Sequence, residues 1–285
     1  MRIHSAWPQW LSVPAAPVQY GVGEGAGHGA GNGAGQAGAL PVRLLAMVAD
    51  HGLAARADRR TGDRAPRDCA LATSVTEARL DLGRHDAARV DPQAQCFALG
   101  PGTRDSRLGP AMDGHQLDRA LSVGRQAIER AKLEGVALIL AHGEAGAGAQ
   151  STNRAWRHLL DGGLVEHPDP DAALIHERHA ETLERADPYQ ALRCLGGFEH
   201  AALVGSALAA AQLGLAWRAV GTSAWIASLL ALRLNPSARA WLGATPSLRH
   251  AQLEAGFCLQ YAPCWHHRRP DTASWARSSL SFRKS

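Results

Sequence analysis

VALILAHGEAGAGAQST, residues 136–152, passes from a continuous apolar run into three glycines between positions 143 and 148 and then into hydroxyl side chains. An apolar run of that length, VALILAH, closed by glycine suits a strand buried on both faces, and Ser151 or Thr152 then stands where a helix wants its cap. Strand, glycine turn and helix in that order make the unit from which parallel sheets are wound.

The same grammar extends in both directions. VRLLAMVADHG, 42–52, reads as a second buried strand with Asp50 and His51 at its exit, and LAWRAVG, 215–221, reads as a third. Leucine and alanine recur at helical spacing from Leu117 to Leu133, with Gly135 as the stop. A helix from Ser151 or Thr152 ends at Gly162 and Gly163, and an acidic, histidine-rich helix follows at about 171–186. Asp187-Pro188 then supplies a cap and a first helical residue, small residues continue at helical spacing through Ala210, and further helices are expected at 223–233 and 246–255. Strands alternating with helices predict an α/β fold, a doubly wound and mainly parallel sheet with helices on both faces, and place ligands beyond the carboxyl ends of the strands.

Composition narrows the function. Lys132 and Lys284 are the only lysines, so Schiff-base chemistry has little to work with, and the formal charge of +4 rests on arginine. An arginine excess spread along the chain does not point to a nucleic-acid partner. Five scattered cysteines argue against a disulfide framework and for a reducing, cytoplasmic setting. The start of the chain lacks an apolar core of signal-peptide length. Residues 201–217 come closest to a membrane span, but they carry Gln212 and fall short of the ~20 apolar positions required, so a buried helix is expected. Residues 1–40, with Gly and Ala dominating 21–39, read as a flexible N-terminal segment, 41–255 as the folded domain and 256–285 as a basic tail.

The glycine turn has two readings. It is a tight turn and nothing more, or its backbone N–H groups at a helix N-terminus cradle an anion such as a phosphate, with Gly146, Gly148 and Ser151 lining the site. It matches neither a P-loop, having no lysine after the glycines, nor a full dinucleotide fingerprint.

VADHGLAA (48–55), GEAGAGAQST (143–152) and DPYQALRCLGGFEH (187–200), in this order and spacing, resemble the nicotinate-nucleotide:dimethylbenzimidazole phosphoribosyltransferase family. Asp187, Pro188, Leu192, Arg193, Gly196, Gly197, Phe198 and Glu199 match its D-P-x-x-x-L-R-x-x-G-G-F-E pattern. The resemblance implies a doubly wound α/β domain with a small helical subdomain, assembled as a homodimer. It also implies transfer of phosphoribose from nicotinate mononucleotide to an azole base, forming the nucleotide of the cobalamin lower ligand, with no cofactor and no metal. Glu144 is then the catalytic carboxylate, stabilising an oxocarbenium-like state or taking the azole proton. Gly146, Gly148, Ser151 and Asp50 are expected to bind substrate, with capping within the core as the other role for Asp50. Glu199 is expected to pair with Arg193, and Gly196, Gly197 and Gly205 to let helices approach closely.

The chain also departs from the family. A C-terminal L-G-E-G-T-G-A motif carrying the usual general base is replaced by FCLQYAPCWHHRRPDTASWARSSLSFRKS, 257–285. Glu177 stands where a phosphate-binding lysine is expected, Ala149 and Gln150 replace polar turn residues, and Val220 and Thr222 replace a V-D-G-F strand end. A catalytically impaired relative acting by ligand binding or dimerisation is therefore the competing reading. Cys258, Cys264, His266 and His267 are spaced too irregularly for a standard zinc site.

Overall fold

The computed structural model describes residues 41–53, 75–85, 92–160, 170–184 and 187–245. Among the described residues six strands form one sheet: β1 (Val42–Ala49), β2 (Val75–Gly83), β3 (Gln95–Cys96), β4 (Leu138–Ala145), β5 (Ala216–Val220) and β6 (Leu242–Thr245). They lie in the order β3-β2-β1-β4-β5-β6, and every pair is parallel. This is the doubly wound order, with its topological switch point between β1 and β4. The three strands read from their apolar runs are β1, β4 and β5; β4 runs on past His142 to Ala145.

Central position explains their composition. Leu45, Met47 and Ala49 of β1 join Leu80, Leu82, Ile139, Ala141, Trp217 and Ala219 in the main core. The alternate residues Val42, Leu44, Leu138, Leu140 and Val220 form a second cluster, made among the described residues of strand positions. Both sets are buried, so the strands read as continuous apolar runs.

Against the first face pack α1 (Gly114–Leu133), α5 (Phe198–Leu213) and α6 (Thr222–Leu234). Helix α1 starts three residues before Leu117 because Asp113 caps it, taking the Gln116 N–H at 2.8 Å while Gln116 Oε1 takes the Asp113 N–H at 3.1 Å. Helix α5 is buried all round, as a central core helix must be. Gly205 is one condition of that burial: a Cβ there would overlap the Leu121 carbonyl of α1. No described helix is long and apolar enough to cross a membrane.

The remaining helices are α2 (Ala149–Leu160), α3 (Pro170–Glu184) and α4 (Pro188–Leu195), with a 3-10 turn at Pro236–Ala240 before β6. Asp187 caps α4 through the Tyr189 and Gln190 N–H groups, with Pro188 first in the helix. Helix α3 is tied to the loop before α1: Arg107 Nη1 donates to Asp171 at 3.0 Å, Arg178 Nη2 to the Leu108 carbonyl at 3.1 Å, and His179 Nε2 lies 2.8 Å from the Ser106 carbonyl. The helix expected at 246–255, the linker at 21–39 and the tail at 256–285 lie outside the described residues.

Candidate active site

At the switch point the ends of β1 and β4 run side by side, Val48 opposite Glu144 and Ala49 opposite Ala145. That register brings Asp50 and His51 against the glycine turn. Asp50 Oδ1 accepts the Ala147 N–H at 2.8 Å, Oδ2 accepts the His85 N–H at 2.9 Å, and the His51 N–H donates to the Ala147 carbonyl at 2.7 Å. Gly146 must lack a side chain because a Cβ would overlap the Ala49 carbonyl oxygen and stand 2.8 Å from Asp50 Oδ1. The Asp50 carboxylate, 2% exposed, therefore braces the turn from within the fold.

Helix α2 begins at Ala149, after Gly148 with φ of +76°, and its first intrahelical bond runs from the Thr152 N–H to the Gly148 carbonyl. Ser151 and Thr152 consequently sit inside the first turn rather than at the cap. Their side chains are buried there, and Arg154 Nη2 donates to Ser151 Oγ at 3.3 Å, bringing a cation to the same helix end. The Ala147 N–H is taken by Asp50 and the Ala149 N–H by the Gly146 carbonyl at 3.2 Å.

Glu144, the predicted carboxylate, is mostly buried on the strand itself. Arg79 of β2 reaches over β1 to place Nη1 3.0 Å from Glu144 Oε1, an ion-pair distance without hydrogen-bond geometry. Ala46 pairs with Arg79 in the ladder, and its small side chain leaves the guanidinium room to cross.

A third acidic group lies deeper. Glu199, in the first turn of α5, does not pair with Arg193, which donates instead to Gln190 at 2.9 Å. The bend at Gly196 and Gly197 separates the two residues onto different helices and sends Glu199 inward. Glu199 Oε1 lies 2.7 Å from His51 Nε2 and 2.9 Å from His200 Nδ1, with all three residues at most 1% exposed. Burial alone would raise the Glu199 carboxyl, but the two imidazoles against it, His51 first, hold it well below the usual carboxylate range. The outer ring nitrogens are also engaged: His51 Nδ1 lies 2.8 Å from Thr152 Oγ1, and His200 Nε2 lies 2.9 Å from Asn153 Oδ1. Asn153 Nδ2 reaches Ser223 Oγ of α6 at 3.0 Å. One polar network thus ties the end of β1 to the first turns of α2, α5 and α6. Gly197 makes room for it, since a Cβ there would overlap His51 Nε2 and Glu199 Oε2.

The structure brings Asp50, Gly146, Gly148, Ser151 and Glu144 to one edge of the sheet. Arg79, Asn153, Arg154 and Ser223 were not singled out from the sequence, and no local pattern marks them. Arg178 is occupied with the Leu108 carbonyl, and Glu177 is exposed on α3.

Sheet order and polar edge together define the class: a doubly wound α/β protein with its ionisable groups gathered at the switch point. Within that class, the chain belongs to the DBI_PRT phosphoribosyltransferase family, whose profile matches residues 36–258. It is 39% identical over 176 residues to a nicotinate-nucleotide--dimethylbenzimidazole phosphoribosyltransferase of Pseudomonas putida KT2440, covering 57% of this chain and 50% of that protein. A protein of the same name from Pseudomonas syringae pv. syringae B728a is 39% identical over 191 residues, covering 60% and 53%. The chain spans about half the length of these curated relatives. A solved structure of the Thermus thermophilus enzyme of that name superposes with a TM-score of 0.59 at 28% identity, covering 75% of this chain and 72% of the other.

Proposed function

We propose that this chain transfers the phosphoribosyl group of nicotinate mononucleotide to 5,6-dimethylbenzimidazole or a related azole. The observation that carries the reading is Glu144 and the 146–148 turn side by side at the switch point of a chain matched by the family through most of its length. The 5'-phosphate takes the first turn of α2, where the helix end and Arg154 favour an anion, with Gly148 and Ser151 against it. The pyridinium nitrogen leaves with the electron pair of its bond to C1', so nicotinate needs no acid. An azole nitrogen closes the new bond at C1', and the azole N–H proton passes to a carboxylate. Glu144 is that carboxylate, with the Arg79 guanidinium 3.0 Å away.

The test is incubation of the full chain with both substrates while nicotinate release and the nucleotide product are followed chromatographically. The substitution Glu144→Gln is expected to cut kcat by ~100 to 10,000-fold with a small change in KM. Turnover unchanged in E144Q sinks the assignment of the base.

A second reading has its own support. The Arg79–Glu144 pair and the Asp50–Ala147 bond already spend groups that a substrate needs. On this reading the chain binds nicotinate mononucleotide without turning it over, and isothermal titration alongside the product assay separates the two. Absence of heat at millimolar ligand removes the transfer reading. Assembly as a cytoplasmic homodimer belongs to the same proposal, and light scattering at a monomer mass counts against the dimer.

A further inference from the structure

The Glu199 cluster holds an electrostatic conflict that hydrogen bonds alone do not resolve. His200 Nδ1 accepts the Gly197 N–H at 3.1 Å, and its other nitrogen lies against Asn153 Oδ1, so Nδ1 carries a lone pair. That lone pair stands 2.9 Å from Glu199 Oε1. Two electron-rich atoms held so close, away from water, need a positive centre between them. Glu199 Oε2, also buried, has no hydrogen-bond partner among the described residues.

We propose that His51, Glu199 and His200 bind a divalent metal ion, with zinc as the ion of choice. The three side chains come from β1's exit and the first turn of α5, and their candidate donor atoms lie within 4.8 Å of one another. His51 Nε2, His200 Nδ1 and the Glu199 carboxylate make a two-histidine, one-carboxylate set of the kind zinc takes, and binding there draws the His200 Nδ1 lone pair away from the Gly197 N–H. The outer shell is in place as well. Thr152 Oγ1 and Asn153 Oδ1 engage the ring nitrogens that face away from the centre, fixing both tautomers in the way that metal-bound histidines are fixed. Zinc–ligand bonds of about 2.0 to 2.1 Å need donors roughly 3.3 Å apart, so the present distances of 2.7 and 2.9 Å open by about half an ångström on binding. With every donor buried, the ion is structural: it pins α2 and α5 to the sheet behind the glycine turn and does not meet substrate.

The experiment is metal analysis of the full chain after purification, chelation, reloading with zinc or cobalt(II) and gel filtration. About one ion per chain is expected, with visible cobalt(II) bands and a higher Tm after reloading. His200→Gln and Glu199→Gln, each checked for folding by circular dichroism, lose the ion, whereas a C258S/C264S variant keeps it. The proposal is overturned if folded wild-type chain retains less than ~0.1 ion after reloading. It is equally overturned if uptake survives in the folded H200Q and E199Q variants or disappears with the two cysteines.

Discussion

Replacing Asp50 with alanine tests whether its carboxylate serves the fold or waits for a ligand. In the structure both oxygens are used, Oδ1 by the buried Ala147 N–H and Oδ2 by the His85 N–H. A hydrogen bond to a charged group contributes about 1.5 to 3 kcal/mol, and a buried donor left without a partner forfeits its full desolvation cost. The Ala147 N–H is enclosed and loses the upper part of that range, whereas the His85 N–H is only partly buried and regains water. The sum for D50A is about 3 to 4 kcal/mol, a roughly 140 to 700-fold loss in the folding equilibrium at ~1.4 kcal/mol per decade. At about 2 to 4 °C per kcal/mol for a domain of this size, Tm drops by roughly 6 to 16 °C. Asp50→Asn keeps one oxygen and loses about half as much. Urea unfolding followed by tryptophan fluorescence and by circular dichroism measures both variants, and coincident curves license the two-state treatment. If D50A unfolds within about 0.5 kcal/mol of the wild type, Asp50 does not hold the turn, and the whole account of the switch point loses its brace.

Other perturbations probe separate parts of the molecule. Gly146→Ala drives a Cβ into the Ala49 carbonyl and is expected to cost about 1 to 3 kcal/mol or more in urea unfolding, with weaker nicotinate mononucleotide binding by titration. Phe198→Ala empties a fully buried site at the head of α5 and is expected to cost about 3 to 5 kcal/mol on the same assay. His179 has its pKa lowered, chiefly by burial, against the Ser106 carbonyl. Because the folded value lies below the unfolded one, its contribution is complete above the ordinary value of 6.5 and is lost as pH falls below it. His179→Gln is therefore expected to flatten the loss of stability between pH 7 and 5, measured as the difference in urea midpoint, and parallel profiles for the two proteins count against this.

What the sequence made legible follows from where each strand sits. Strands β1, β4 and β5 announce themselves as apolar runs, whereas β2, flanked on its outer side by only the two residues of β3, carries Glu77, Arg79 and Asp81 at alternate positions and shows no such run. Its Arg79 is polar for a tertiary reason, the crossing to Glu144, which no local spacing reveals. Strands β3 and β6 are too short for periodicity to register. The glycine turn and Glu144 could be read directly, but the occupant of that turn could not, since Asp50 meets Ala147 only because β1 and β4 are neighbours. Pairing Glu199 with Arg193 failed in the same manner: the nearby partner is on another helix, and the actual one, His51, is 148 positions away.

Each of the three carboxylates at this edge has a partner of a different kind, and that difference separates their roles. Asp50 is held by two backbone N–H groups, which cannot leave without unfolding the turn. Glu199 is enclosed with two imidazoles and has no path to a substrate. Glu144 is met by the Arg79 guanidinium from two strands away, in contact at 3.0 Å but without hydrogen-bond geometry. A guanidinium swings aside at the cost of a few rotamers, whereas the other two restraints are part of the packed core. If one acid at the switch point is to meet a developing cation on ribose, the restraint that yields most easily selects Glu144. It also makes Arg79 the residue whose displacement exposes that charge.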